Sequence, residues 1–168
     1  VSLRSQAAQE ELAKLRPDVI IIAAYGKLLP PPVLNTPPHG CLNLHPSLLP
    51  RYRGPSPVAT AILNGEEVTG VTLMLLDEGM DTGPIISQQE YALSGRETAV
   101  YLTQSLFRTG AQLLLDTLGP WVAGQMAPRH QDEIFSTTTR KLERGDGAVD
   151  WRVGASELER RCRAFNPW

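Results

Sequence analysis

Hydrophobic and polar positions change period several times along the chain, and each change marks an element. In SLRSQAAQEELAKLRPD the apolar positions Ala8, Leu12 and Leu15 recur at helical spacing, and Pro17 closes the run. DVIIIAAYG follows, a continuous β-branched run ended by Gly26. It predicts a strand buried on both faces, as in a parallel sheet covered by helices. KLLPPPVLN reads as a loop with room for one helical turn, and GCLNLHP as a second buried strand. In that strand Leu42 and Leu44 alternate with Asn43 and His45, so the leucines face one way and the amide and imidazole the other. PSPVATAILNG predicts a helix with proline near its start and Gly65 just past its end. EVTGVTLMLLDEG and GPIISQQEYAL are β-rich and divided by a Gly-rich loop. GRETAVYLTQSLFRTGAQLLLDTLG is the strongest helix, with Val100, Leu106, Leu113 and Leu114 on its apolar face and Gly119-Pro120 stopping it. From Met126 the chain turns polar and weakly periodic, an extended excursion, until SELERRCRAFNPW makes a short amphipathic helix.

This order of helices and strands predicts an open α/β sheet. Residues 1–125 read as part of one such domain, and residues 126–168 as an extended linker followed by the short helix. The 168 residues and a 42% apolar content suffice for a real core. A net charge of −2 with no long basic run gives no nucleic-acid-binding surface within these residues. Cys41 and Cys162 stand far apart with no Cys or His at metal-ligand spacing, which favours reduced thiols in a cytoplasmic chain and no metal. The longest apolar run, VIIIAAY, is far short of the roughly 20 residues that span a bilayer, so no membrane is expected. The chain lacks an initiator Met and reads as cut from something longer.

Candidate chemistry gathers in two places. Asn43 and His45 end a strand, and in open α/β sheets ligands bind outside the carboxyl ends of strands. LLDEGMDTGP follows another apolar strand and crowds Asp77, Glu78 and Asp81 into a turn held by Gly79 and Gly83. Together they offer an amide donor, an imidazole that titrates near neutrality and a carboxylate. Each has a bland reading when taken singly. A strand Asn or His is commonly a satisfied hydrogen-bonding group, and an acidic glycine-containing loop is commonly a solvated turn. Arg51 and Arg53 read as surface charge, and His39 and His130 as exposed loop residues. The joint pattern carries the functional reading.

NLHPSLLPRYRGPSP followed by GVTLMLLDEGMDTGPII resembles the folate-dependent formyltransferases, which carry Asn-x-His-x-Ser-Leu-Leu-Pro and a downstream Asp motif. From Asn43 to Asp81 is 38 positions (81 − 43), the spacing of that family's catalytic Asn and Asp. The similarity extends over nearly the whole chain. DVIIIAAYGKLLP and RAFNPW look most like the members that act on methionyl-tRNA, and Lys141, Asp150 and Trp151 are kept. Pro46 stands where many of those members have Gly.

The resemblance implies a Rossmann-like open, mostly parallel sheet with helices on both faces. It also implies that the first strands precede Val1 and that a small β-barrel domain follows Trp168. A piece of this kind is expected to be aggregation-prone or dimeric through an apolar sheet edge. The implied reaction moves a formyl group from the co-substrate 10-formyltetrahydrofolate to the amino group of methionine on initiator methionyl-tRNA. An amino-sugar nucleotide is the alternative acceptor. Asn43 and His45 are expected to donate to the oxygen of the tetrahedral adduct, and Asp81 to orient His45 and relay a proton. Lys27, Leu28 and Leu29 with Asp77, Glu78 and Gly79 are expected to hold the folate, walled by Ser47, Leu48, Leu49 and Pro50.

Overall fold

A computed structural model describes residues 2–167. Helix α1 (Gln6–Lys14) leads to β1 (Ile20–Ala23), the single turn α2 (Pro31–Leu34) and β2 (Cys41–His45). Then come α3 (Pro57–Leu63), β3 (Val68–Leu75), β4 (Ile85–Ala92) and the long α4 (Ala99–Val122). Two 3-10 turns, Glu133–Phe135 and Arg144–Gly147, precede α5 (Ala155–Phe165). No helix is long and apolar enough to cross a membrane among the described residues.

The strands lie in the order β1-β2-β3-β4. β1 and β2 are parallel, with Ile22 opposite Asn43, and α2 lies in the crossover between them. β3 and β4 extend the sheet antiparallel, with His45 opposite Thr72 and Leu42 opposite Leu75. The open α/β sheet is therefore present with helices on both faces, and within these residues its parallel pairing is the β1–β2 pair.

The period-two pattern of β2 sorts its side chains between two cores. Leu42 and Leu44 join Val71, Leu73 and Ile86 beneath Phe107, Leu113, Leu114 and Leu118 of α4. On the opposite face Cys41 joins Leu29 and Val33, with Leu12, Ile20 and Ile22 packed against them. Burying each such leucine stabilises the fold by about 1.5–3 kcal/mol. α5 closes a third cluster, its Ala164 packed with Val58 and Ile62 of α3 and Leu102 and Leu106 of α4.

Three expectations are corrected. β1 is not buried on both faces: Ile20 and Ile22 are half-buried and Ile21 and Ala23 are exposed, because β1 is the sheet's edge among the described residues. The strands that are covered on both sides are the interior β2 and β3. Gly119-Pro120 do not stop α4, which runs on to Val122 before Gly124 at φ +68°. Pro120 is tolerated there because it costs one hydrogen bond in a last turn that still closes through Ala123, Gly124 and Gln125. Trp121 pins that turn by donating its indole N–H to the His39 carbonyl at 2.9 Å. The buried stripe of α4 is Leu102, Leu106, Gly110 and Thr117, leaving Val100 exposed.

Candidate active site

β2 places Asn43 and His45 on the face opposite α4, where Cys41 also lies. Asn43 is half-buried, and among the described residues its carboxamide makes no hydrogen bond. His45 is buried, with one ring nitrogen committed: Nε2 lies 2.9 Å from the Tyr52 carbonyl. A carbonyl only accepts, so that nitrogen carries the proton and Nδ1 is the atom presented to the site. Burial pulls the imidazole below the ordinary histidine value, while Asp81 and the Tyr52 carbonyl pull the other way. Its neutral form thus has a bare Nδ1 lone pair.

Asp81 reaches that nitrogen by a route that parallel-sheet reasoning does not foresee. Because β3 is antiparallel to β2, it leaves the sheet at β2's amino end, where the Leu76 N–H donates to the Cys41 carbonyl at 2.8 Å. Residues 76–84 then fold back along β2, about 10 Å from the level of Leu42 to that of His45. Asp81 Oδ2 ends 3.6 Å from His45 Nδ1 and accepts the Gly54 N–H at 2.7 Å. Asp81 holds φ +56°, an uncommon backbone for a residue other than glycine. Gly83 has no room for a Cβ, which would collide with the Leu75 carbonyl, so the loop lies directly on the strand it has left. His45 and Asp81 stand 3.6 Å apart, and Asn43 shares the His45 face one alternation earlier.

The residues expected around folate are more dispersed. Lys27 and Leu28 are exposed at the mouth of the β1–α2 loop, while Leu29 is buried with Val33 and Cys41. Asp77 and Glu78 are exposed, and the Asp77 carboxylate accepts from the Gly79 N–H and the Thr82 hydroxyl. Ser47 is fully buried and donates its hydroxyl to the Arg51 carbonyl, and Leu49 packs with Met74 and Ile85. Leu48 is seated over Gly70 and Pro50 is half-buried. Thr72 fixes this turn to the sheet, donating to the Ser47 carbonyl and accepting from the Leu49 N–H and the Gln88 amide.

Four participants escaped the sequence reading. Tyr52 supplies the carbonyl that orients His45 from a left-handed backbone, φ +61°. Its phenol bonds Glu66 and accepts from Asn64 at 3.0 Å and Arg51 at 3.1 Å. Gly54, φ +99°, supplies the N–H to Asp81, and a Cβ there would lie 2.7 Å from the Thr139 carbonyl. Arg53 is buried rather than surface charge, and Gln131 reaches the Asp81 loop. None carries a periodic signal. Arg51 is exposed at an ion pair with Glu66, His130 is exposed, and His39 is half-buried with its backbone engaged. Burial pushes the Cys41 thiol up to about 11, which leaves it no thiolate to act as a nucleophile near neutrality.

A formyl transferase family model matches residues 1–118, spanning the face that holds Asn43, His45 and Asp81. The chain belongs to the formyl transferase family. It is 51% identical to a methionyl-tRNA formyltransferase of Roseiflexus sp. (strain RS-1) over 99% of the chain and 51% of that protein. The chain spans about half the length of the curated relatives it matches. Among formyl transferase structures, an N-formyltransferase from Helicobacter canadensis in complex with folinic acid and dTDP-3-aminofucose superposes with TM-score 0.69 and 30% identity. That match covers 74% of this chain and 46% of that one. HypX from Aquifex aeolicus in complex with tetrahydrofolic acid superposes with TM-score 0.82 over 95% of this chain and 28% of that one, at 24% identity, a likeness of fold.

Proposed function

We propose that the full-length protein transfers a formyl group from 10-formyltetrahydrofolate to the amino group of methionine on initiator methionyl-tRNA, in the cytoplasm. The observation that carries this reading is an Asn43 amide that makes no hydrogen bond among the described residues, on the same face as the His45–Asp81 pair, within the stretch that the family model spans. The 51% identity to a methionyl-tRNA formyltransferase favours that acceptor over the amino sugar of the 30% identical structural relative.

The donor set fits transfer from an amide-like carbonyl to an amine. The folate would rest against the exposed Lys27–Leu28 mouth and the open Asp77–Gly79 backbone, with the turn at residues 47–50 as a wall held by Thr72. It supplies the formyl carbon. As the amine adds to that carbon, negative charge grows on the formyl oxygen, and the Asn43 NH₂ is free to donate to it. Such a donor lowers the barrier by about 2.7–4 kcal/mol. The orientation of His45 supports a different part from that of neutral oxyanion donor. With Nε2–H spent on Tyr52, Nδ1 accepts the proton that the amine must lose. The imidazolium so formed stands 3.6 Å from the Asp81 carboxylate, whose charge stabilises it. As the adduct collapses, the bond between the formyl carbon and the folate nitrogen would break, and the proton taken from the amine would return, directly or through water, to that departing nitrogen, leaving tetrahydrofolate.

The test is a comparison of acceptors with the full-length protein and labelled 10-formyltetrahydrofolate. Label should pass to initiator methionyl-tRNA at least about 10²-fold faster than to a dTDP-amino sugar, a gap of nearly 3 kcal/mol in transition-state binding. Preferential labelling of the sugar would replace this reading with the alternative.

A further inference from the structure

Residues 129–139 lie beyond the stretch that the family model matches, yet they run back across the site. Arg129 pairs with Ile85 through both backbone groups, each bond 2.8 Å. Arg53 is held between Thr137 and Thr139 by its own N–H and carbonyl, at 2.9 and 2.7 Å. Between these anchors the Gln131 amide donates to the Asp81 carbonyl at 2.8 Å and to the Gly83 carbonyl at 2.7 Å. Its oxygen accepts from Arg53 Nε at 2.9 Å, and the remaining guanidinium donors of Arg53 grip Glu133 at 3.0 and 2.7 Å.

We infer that Gln131 is a positioning residue for formyl transfer, clamping the Asp81 loop so that the carboxylate stays against His45, with buried Arg53 fixing the amide's orientation. This deepens the formyl-transfer reading and rests on it.

The physical reason lies in the loop's own backbone. Asp81 occupies a left-handed conformation that is uncommon in a residue with a side chain, and it persists only where neighbours over-determine it. Two neighbours do so. The Gly54 N–H holds the carboxylate end and the Gln131 amide holds the carbonyl end. An amide side chain can be inverted, and only one orientation donates to the two carbonyls. Arg53 selects it, because guanidinium N–H groups donate and would repel the NH₂. The strap therefore acts through Asp81 and does not touch the reacting atoms itself.

Two substitutions in the full-length protein separate positioning from packing. Gln131→Glu keeps the shape and the Arg53 partner but turns an acceptor toward the two carbonyls, whereas Gln131→Ala removes the side chain. Both should lower kcat about 10–10²-fold, as expected for a misplacement near 1 Å, with the KM for the folate within about threefold. The deciding readout is the titration of His45 followed by histidine NMR in Gln131→Ala. Asp81 is the charged group set against this ring, with Tyr52 contributing only a carbonyl. Release of Asp81 should therefore move the His45 titration to lower pH. A His45 titration identical to wild type would overturn the inference whether or not formyl transfer is observed. A wild-type protein that transfers no formyl group, with the shift still present, would instead overturn the functional reading and leave the clamp standing.

Discussion

A histidine with one ring nitrogen tied to a backbone carbonyl has only the other to offer. In His45 the tie is to Tyr52 and the free atom is Nδ1, beside Asp81. Burial, the largest influence on this ring, favours its neutral form. Proton acceptance needs that neutral form, so activity is present above the lowered value and lost as pH falls through it. The acid limb of kcat/KM should thus lie below the ordinary histidine value of 6.5. Asp81→Asn removes the charge that supports protonation, which should move the limb lower still and reduce the plateau about 10²-fold or more. Profiles of both proteins with the same acceptor isolate the enzyme's own group, and a limb above 6.5 that Asp81→Asn leaves in place would contradict this part for His45. The alternation in CLNLH made Asn43 and His45 visible as one polar face, because strand geometry is local. Which nitrogen faces the site was not visible, because Tyr52 lies seven positions on, in a turn held by Glu66, Asn64 and Thr137.

Sequence periodicity locates strands better than it orients them. VTGVTLML announces a buried strand, but its direction relative to β2 depends on a pairing that no local pattern encodes. That direction decides how Asp81 reaches His45, since an antiparallel β3 needs a loop that doubles back over the sheet. Gly83 is where the loop presses on Leu75, and Gly83→Ala must push it off. We expect turnover to fall about 10²-fold and stability by about 1–3 kcal/mol, read from kinetics and chemical denaturation. Wild-type turnover in Gly83→Ala would mean that the loop's seat does not set the Asp81 position. The strap at residues 129–139 was legible only as polar and aperiodic, because it is held by backbone pairing with Ile85 and Arg53 rather than by an apolar stripe. α4 was legible as a helix from its apolar period, although Val100 lies off the face it buries, and the expected stop at Pro120 failed because a proline in a final turn breaks little.

Across the whole molecule the sheet is finished unevenly. β4 carries polar residues along its outer half, whereas the outer edge of β1 is apolar, with Ile21 37% exposed and an open groove lined by Leu3, Leu12, Ile22, Leu29 and Val33. An unpaired apolar edge is a template for another strand. The 168-residue chain by itself should therefore self-associate, seen as a concentration-dependent sedimentation coefficient, and Ile21→Lys should suppress it. Sedimentation of the unsubstituted chain as a monomer at all concentrations would argue that the edge is protected.

The central claim is that Asn43, His45 and Asp81 form one formyl-transfer site, and Asn43 is its most exposed member to test because its amide has no other task among the described residues. The measurement is steady-state transfer of labelled formyl from 10-formyltetrahydrofolate to methionyl-tRNA by the full-length protein and its Asn43→Ala variant. A donor that acts on developing charge matters in the transition state, so kcat should fall about 10²–10³-fold while the folate KM changes little. Unchanged kcat with a large rise in the folate KM would contradict the claim and make Asn43 a binding residue.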